Sequence, residues 1–344
     1  MVFSSPIFLF LFLPITLGLF LLSRLVWKKS SNFVLLCASL VFYAWGEPKF
    51  VFVMLISITM NYFFGLWINV SNKTLGRKIA FAAAVFFNLL LLTVFKYANF
   101  LIDNINTLSN ALQINIEPVH LPIGISFFTF QAMSYVIDVY RHETPVQKNP
   151  INIALYISLF PQLIAGPIVR YHDIAKQIIK RTVSLTGFSL GVKRFIIGLG
   201  KKVLIANVMA TVADQVFAVP SEQLTFSLSW LGIITYALQI YFDFSGYSDM
   251  AIGLGHMLGF NFLENFNYPY ISRSIREFWK RWHISLSSWF RDYLYFPLGG
   301  SKKGSYRTYF NLLLVSCILS LRFVAWSKLE LCYLGSFPRY FPYH

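Results

Sequence analysis

The chain has 344 residues with 29 Lys plus Arg against 14 Asp plus Glu, so 12% are charged while 56% are hydrophobic, and 36 Phe, 19 Tyr and 8 Trp crowd the sequence. A soluble domain of this size lacks the interior volume to hide so much apolar surface behind so few charges, so lipid is the solvent for most of it. The formal charge of +15 does not point to nucleic acid, because the basic residues fall in short clusters between apolar stretches: Lys28-Lys29, Arg77-Lys78, Lys180-Arg181, Lys201-Lys202 and Lys302-Lys303. Cys37, Cys317 and Cys332 are too few and too scattered for a disulfide framework or a thiolate metal site.

A bilayer core of about 30 Å needs roughly 20 apolar residues per spanning helix. The first such stretch, from about Pro6 to Val26, ends in Lys28-Lys29 without a cleavage pattern and reads as a retained span with an external N-terminus. Phe33 to Trp45 and Val51 to Val70 flank the turn Gly46-Glu47-Pro48 and return the chain to a basic side at Lys73 to Lys78. Ile79 to Phe100 crosses outward. The following loop, Asp103 to His120, has no Lys or Arg, as expected outside, and Leu121 to Tyr140 leads back to Arg141 and Lys148. Ile151 to Ile168 is apolar but broken by Pro161, Gly166 and Pro167 and flanked by basic residues at both ends, which predicts a re-entrant or bent element enclosed by protein.

Apolar periods resume from Phe188 to about Met209, from Phe226 to Phe242 and, interrupted by glycines, from Met250 to Phe262; Gly253, Gly255 and Gly259 read as sites of close helix packing. Between Ile271 and Tyr295 charged residues alternate with Phe278, Trp279, Trp282, Trp289 and Phe290, a mixture suited to an interfacial or protein-buried helix. Tyr309 to Leu321 begins another span. The expected fold is all-α, a polytopic transmembrane bundle of about eight to ten segments in one domain over 1–321.

Ionisable and polar residues inside such segments are candidates for function or for structural pairing. Lys96 and Asp138 lie in consecutive predicted spans and could neutralise one another. Asp243, Ser245, Ser248 and Asp249 cluster beside apolar stretches, the two carboxylates more suited to holding helices than to acid/base work. The sharpest cluster runs from Arg276 to Ser287: on a continuous helix Trp279 and His283 share a face, Glu277 and Arg281 pair, and Arg276 and Lys280 make a positive face. Neighbouring cations would keep His283 neutral and able to take a hydroxyl proton, although an interfacial anchor with an incidental histidine fits equally. Asp292, Tyr293 and Tyr295 could orient an acceptor. The six histidines show no metal-binding spacing, and there is no Walker, GxGxxG or GxSxG sequence.

Four stretches, Pro122–Gln131, Phe160–Ile168, Tyr241–Asp249 and Arg276–Ser287, together resemble the membrane-bound O-acyltransferase family, in particular its bacterial alginate O-acetylase-like branch, with teichoic-acid D-alanyl transferases as a sister group. The resemblance runs from about Trp45 to about Leu319. It implies a bundle in the inner or plasma membrane with a funnel between the two faces, through which an activated acyl group reaches a polysaccharide hydroxyl outside. Acetyl-CoA or an acylated carrier would be the donor substrate, with no tightly bound cofactor and no metal. Membrane lipid, the polysaccharide and an extracytoplasmic acyltransferase would be the partners. His283 corresponds to the first of two family histidines and would position the donor or polarise its carbonyl. Lys96, Gln131, Asp138, Asp243, Ser245, Asp249, Arg276, Trp279, Trp282 and Ser285 are supporting candidates.

The second family histidine, in a Leu-Trp-His-Gly-Ala type motif one helix later, is missing, and after Asn311-Leu-Leu-Leu-Val315 the chain continues through Arg322, Lys328 and Glu330 to His344. Codons chosen for Phe323 to Phe337 and shifted by one base read Leu-Trp-His-Gly-Ala-Ser-Trp-Asn-Phe-Val-Ile-Trp-Gly-Ala. The sequence is therefore expected to be incomplete at its C-terminal end, with 322–344 an out-of-frame tail after a shift near Ser320, and the 344-residue product inactive or nearly so. D-alanyl transfer to teichoic acid, a transporter or flippase with Pro161, Gly166 and Pro167 in a substrate path, and a non-catalytic scaffold of a polysaccharide-modifying complex are the rival readings.

Overall fold

The computed structural model describes residues 1–27, 30–71, 73–108, 117–164 and 166–297; the span expected from Tyr309 and the tail 322–344 lie outside them. Helices make up the fold of the described residues: α1 Phe8–Val26, α2 Ser31–Gly46, α3 Val51–Val70, α4 Thr74–Thr107, α5 Ile125–Tyr140, α6 Pro150–Ser158, α7 Phe160–Leu163, α8 Tyr171–Ile179, α9 Leu185–Phe217, α10 Phe226–Met257, α11 Ile275–Arg281 and α12 Ile284–Phe290, the last continued by a π-helical turn, Arg291–Tyr295. α1, α3, α4 and α9 are long and apolar enough to cross a membrane, and α2 is a shorter apolar helix. Fewer helices meet that length than the sequence suggested, because α2 and α5 have only 16 residues each and the stretch from 150 onward is broken. Large apolar side chains face outward on the long helices, Phe10 at 81% exposure and Leu25 at 85%, where lipid covers them. The protein is a multi-pass protein of the cell membrane.

Contacts between chain ends of the spans match the alternation of basic and non-basic loops. On one side His120 pairs with Glu47 at 3.1 Å. On the other, Arg77 donates to the Tyr140 carbonyl, Tyr62 to that of Lys148, and Asn32 bonds Asn152 and the Ile178 carbonyl. The expected Lys96–Asp138 pair does not form. Lys96 lies about 30 Å along its helix from Thr74 at the basic side, whereas Asp138 sits beside Arg141 at that side, so they lie at different depths in the bundle.

The broken element is as anticipated: α6 begins on an Asn149 cap and Pro150, the chain leaves the helix at Leu159, and α7 follows with Pro161 in its first turn. Leu155, Tyr156, Ile157, Phe160 and Leu163 are fully or almost fully buried, so protein rather than lipid surrounds the irregular backbone.

The two apolar stretches between Phe226 and Phe262 are in fact a single 32-residue helix to Met257, capped at its start by the Thr225 hydroxyl accepting from the Leu228 amide. It packs along α9 at backbone contact: a Cβ on Gly191 would lie 2.6 Å from the Gly253 carbonyl oxygen, and one on Gly198 2.6 Å from that of Gly246. Gly259 differs from its neighbours in that its φ of +81° makes it the left-handed residue that ends α10, and it is close-packed against a loop rather than a helix, since a Cβ there would lie 2.8 Å from the Thr182 carbonyl oxygen.

Candidate functional site

The predicted helix across Arg276–Ser287 is broken at its centre. Ser274 caps α11 by accepting from the Glu277 amide, and the Glu277 carboxylate returns to the Arg273 amide, a close variant of the capping box. Glu277 also pairs with Arg281 at 2.8 Å, as the spacing predicted. Trp282 is then extended and His283 left-handed, with φ of 48°, before α12 begins. Trp279 and His283 therefore do not share a helix face; Trp279 is exposed, and Arg276 likewise lies at the surface.

What breaks the helix is a partner segment. Residues 265–267 run antiparallel to 281–284: the Asn267 amide donates to the Arg281 carbonyl and the Ile284 amide to that of Asn265, with a bridge between Phe266 and Trp282. Trp282 packs among Phe266, Phe278 and Tyr270. This pairing sets Asn265 against His283, with its Oδ1 3.0 Å from Nδ1. Ser285 donates to the same Oδ1 at 2.8 Å and accepts at 2.9 Å from the Ile168 amide, tying the histidine to the end of the broken element. The Phe244 ring stands edge-on to the imidazole at 4.8 Å.

His283 is 8% exposed. Burial alone lowers its pKa, to about 3, so the imidazole is neutral at physiological pH; the surrounding cations invoked from sequence are not the cause. Cavities open beside its contact partners Asn265 and Phe244, with His283 itself in the lining of neither. One, of about 400 Å³, is lined by Arg194, Tyr241, Ser248, Asp249, Glu264 and Asn265. The other, of about 480 Å³, is lined by Lys202, Gln239, Asp243, Phe244 and Tyr247. Asp249 accepts from Arg194 at 2.9 Å and Lys201 at 2.6 Å, and Asp243 pairs with Lys202 at 2.7 Å, so both carboxylates join α10 to α9. Ser245 and Gln131 are buried with side-chain polar atoms that lack a partner among the described residues.

Asp138 belongs to a second cluster. Fully buried, it accepts from the Tyr293 hydroxyl at 2.6 Å and from the backbone amide and Nδ1 of His172 at 3.0 and 3.1 Å. His172 Nε2 faces Asp173 at 3.2 Å, Arg170 bridges Asp173 and Asp292, and Arg141 lies over the Tyr293 ring. Hydrogen bonds to Asp138 and then Asp173 raise the His172 pKa to about 10, making it an imidazolium. Burial, reinforced by Asp138, pushes the Tyr293 phenol up, so it stays a donor. Ligand atoms of Asp138, Glu143 and His172 come within 4.8 Å of one another, a grouping that sequence spacing did not show.

The fold thus brings His283 and Ser285 together, places Trp282 beside them, sets Asp243 and Asp249 around the adjoining cavities, and leaves Lys96, Arg276 and Trp279 apart. Asn265 and His172 were missed. Asn265 lies in a short polar stretch that reads as a loop; His172 had a faint signal in standing between Arg170 and Asp173.

Comparison with known proteins adds a family. The profile described as MBOAT, membrane-bound O-acyltransferase family, matches residues 41–334. A Pseudomonas putida protein named probable alginate O-acetylase AlgI is 49% identical over 322 residues, covering 91% of this chain and 64% of the relative. A Helicobacter pylori peptidoglycan O-acetyltransferase is 36% identical over 351 residues, covering 92% of this chain and 66% of the relative. A Bacillus subtilis teichoic acid D-alanyltransferase is 32% identical over 190 residues, covering 52% of this chain and 47% of the relative. The chain spans just under two thirds of the length of the first two.

Proposed function

The chain belongs to the membrane-bound O-acyltransferase family, and from that premise we propose that it forms the membrane-embedded part of an enzyme that passes an acyl group, acetyl in our reading, to hydroxyls of an exported or cell-surface polysaccharide. The observation that carries the reading is His283: a buried, neutral imidazole held at a helix break, whose contact partners Asn265 and Phe244 each line a cavity. In the reaction the bond from the acyl carbonyl to its carrier breaks, a bond to the acceptor oxygen forms, and the hydroxyl proton leaves through a base. His283 serves at the acyl donor, and the histidine of the frame-shifted motif is the base on the acceptor. Acetyl-CoA or an acylated carrier supplies the group, and a separate extracytoplasmic acyltransferase completes delivery.

We further propose that residues 322–344 are read out of frame. Resequencing the gene through codon 320 tests this directly, and an unshifted frame would refute it. With the frame restored, polymer acylation should reappear in cells lacking the native gene, while the 344-residue product should be slower by about 10²-fold or more. Normal acylation by the 344-residue product would overturn the assignment of proton transfer to the second histidine.

A further inference from the structure

The hydrogen bonds around Asn265 determine more than the place of His283. The backbone amide of Ser285 lies 3.3 Å from Asn265 Oδ1, and an N–H can only donate, so the amide atom facing it is the oxygen. The Ile168 amide donates to Ser285 Oγ, which leaves the single hydroxyl hydrogen of Ser285 for that same Oδ1. Both polar neighbours of His283 Nδ1, Asn265 Oδ1 at 3.0 Å and Ser285 Oγ at 3.4 Å, are therefore acceptors. A neutral imidazole has one N–H, and here it must be on Nδ1.

We infer that Asn265 is a positioning residue that locks His283 in its Nδ1–H tautomer, leaving Nε2 with a free lone pair. The inference rests on the reading of His283 as a group of the acyl-transfer site and sharpens it. With its proton on Nδ1, the neutral ring offers an acceptor at Nε2: it can take a proton or an N–H, O–H or S–H hydrogen bond from the donor or acceptor. It cannot polarise an acyl carbonyl, which requires a donor there. The Asn265 side chain, held in a residue 1% exposed, keeps its Nδ2 hydrogens unpartnered among the described residues while lining the 400 Å³ cavity.

No charged side chain contributes to the ionisation of His283. The charged groups of the region, Arg194, Lys201, Asp249 and Glu264, line the cavity that Asn265 shares. The charge state should therefore follow the atom opposite Nδ1. Asn265→Asp keeps the acceptor oxygen and adds a negative charge, reproducing the kind of pairing that His172 has with Asp138.

The test is ring-nitrogen NMR of the 344-residue protein labelled with ¹⁵N-histidine, His283 being assigned by the signal lost in His283→Gln. We expect a protonated Nδ1 and an unprotonated Nε2 from about pH 5 to pH 8, and conversion to imidazolium across that range in Asn265→Asp. In Asn265→Leu the tautomer preference should be lost. An Nε2–H tautomer in the parent protein, a ring that stays neutral in Asn265→Asp, or an unchanged preference in a folded Asn265→Leu would each overturn the inference. Because the readout needs no turnover, absence of transferase activity from the frame-restored enzyme would count against the proposed function and leave this result standing.

Discussion

Two histidines in this bundle, both packed against a side-chain oxygen, are held in opposite charge states. His172 lies between two carboxylates and is an imidazolium; His283 lies against an amide and is neutral. The difference comes from the two carboxylates, Asp138 and Asp173, beside His172 where His283 has an amide, combined with the deeper burial of His283. A charged imidazole can tether: His172 connects α5 to α8, and Tyr293 brings the turn after α12 to the same carboxylate. A neutral one with a free ring nitrogen can exchange a proton. The same residue type is thus a structural cation in one region and a candidate reactive group in the other.

The largest effect on stability should come from breaking the tether. Asp138→Asn leaves a partly buried imidazolium with less compensation and should cost about 3 kcal/mol, read as a lower melting temperature in detergent. His283→Gln replaces one neutral polar group by another and should cost less than half of that; equal losses would erase the distinction between the regions. Next in size is pH. The raised pKa of His172 stabilises the fold fully below about 6.5, and that contribution disappears as pH climbs toward 10. The lowered pKa of His283 acts in the reverse sense, with stability falling as pH drops from 6.5 toward 3 because the unfolded chain binds a proton the folded one refuses. Melting curves of His172→Gln should lose the alkaline slope, and those of His283→Gln the acid slope.

Smaller still is Ser285→Ala, which orphans the Ile168 amide and should cost about 1 kcal/mol. The smallest change is expected at the Lys202–Asp243 pair, where Asp243 is 46% exposed: Asp243→Asn should shift stability by less than about 1 kcal/mol. A loss there as large as that of Asp138→Asn would show that the cavity-lining pairs, not the His172 cluster, hold the bundle.

Hydropathy made the long apolar helices and the bent element at Pro161 legible in the sequence, because these depend on local composition and on bilayer thickness, whereas the fusion of two apolar stretches into one helix to Met257 was not legible. The site was legible only in part. His283 and Ser285 stood out as polar residues in an aromatic and basic segment, but the helix break between them did not, since it is imposed by Asn265–Asn267 from outside the segment. Lys96 and Asp138 looked like natural partners because they lie in adjacent spans, yet pairing depends on depth along the helix, and the acid instead meets a histidine 34 residues further on. The neutrality of His283 was anticipated for the wrong reason: burial governs it, and burial is a property of the assembled fold.

The proposed function places the chemistry at His283 and not at His172. It is tested most directly by measuring polymer acylation in cells that carry the frame-restored gene with His283→Gln or His172→Gln, normalised to folded protein in the membrane. We predict that His283→Gln lowers acylation by about 10²- to 10⁴-fold while His172→Gln retains the parent rate per folded molecule. Parent-level acylation by His283→Gln, or a comparable loss confined to His172→Gln, would contradict it.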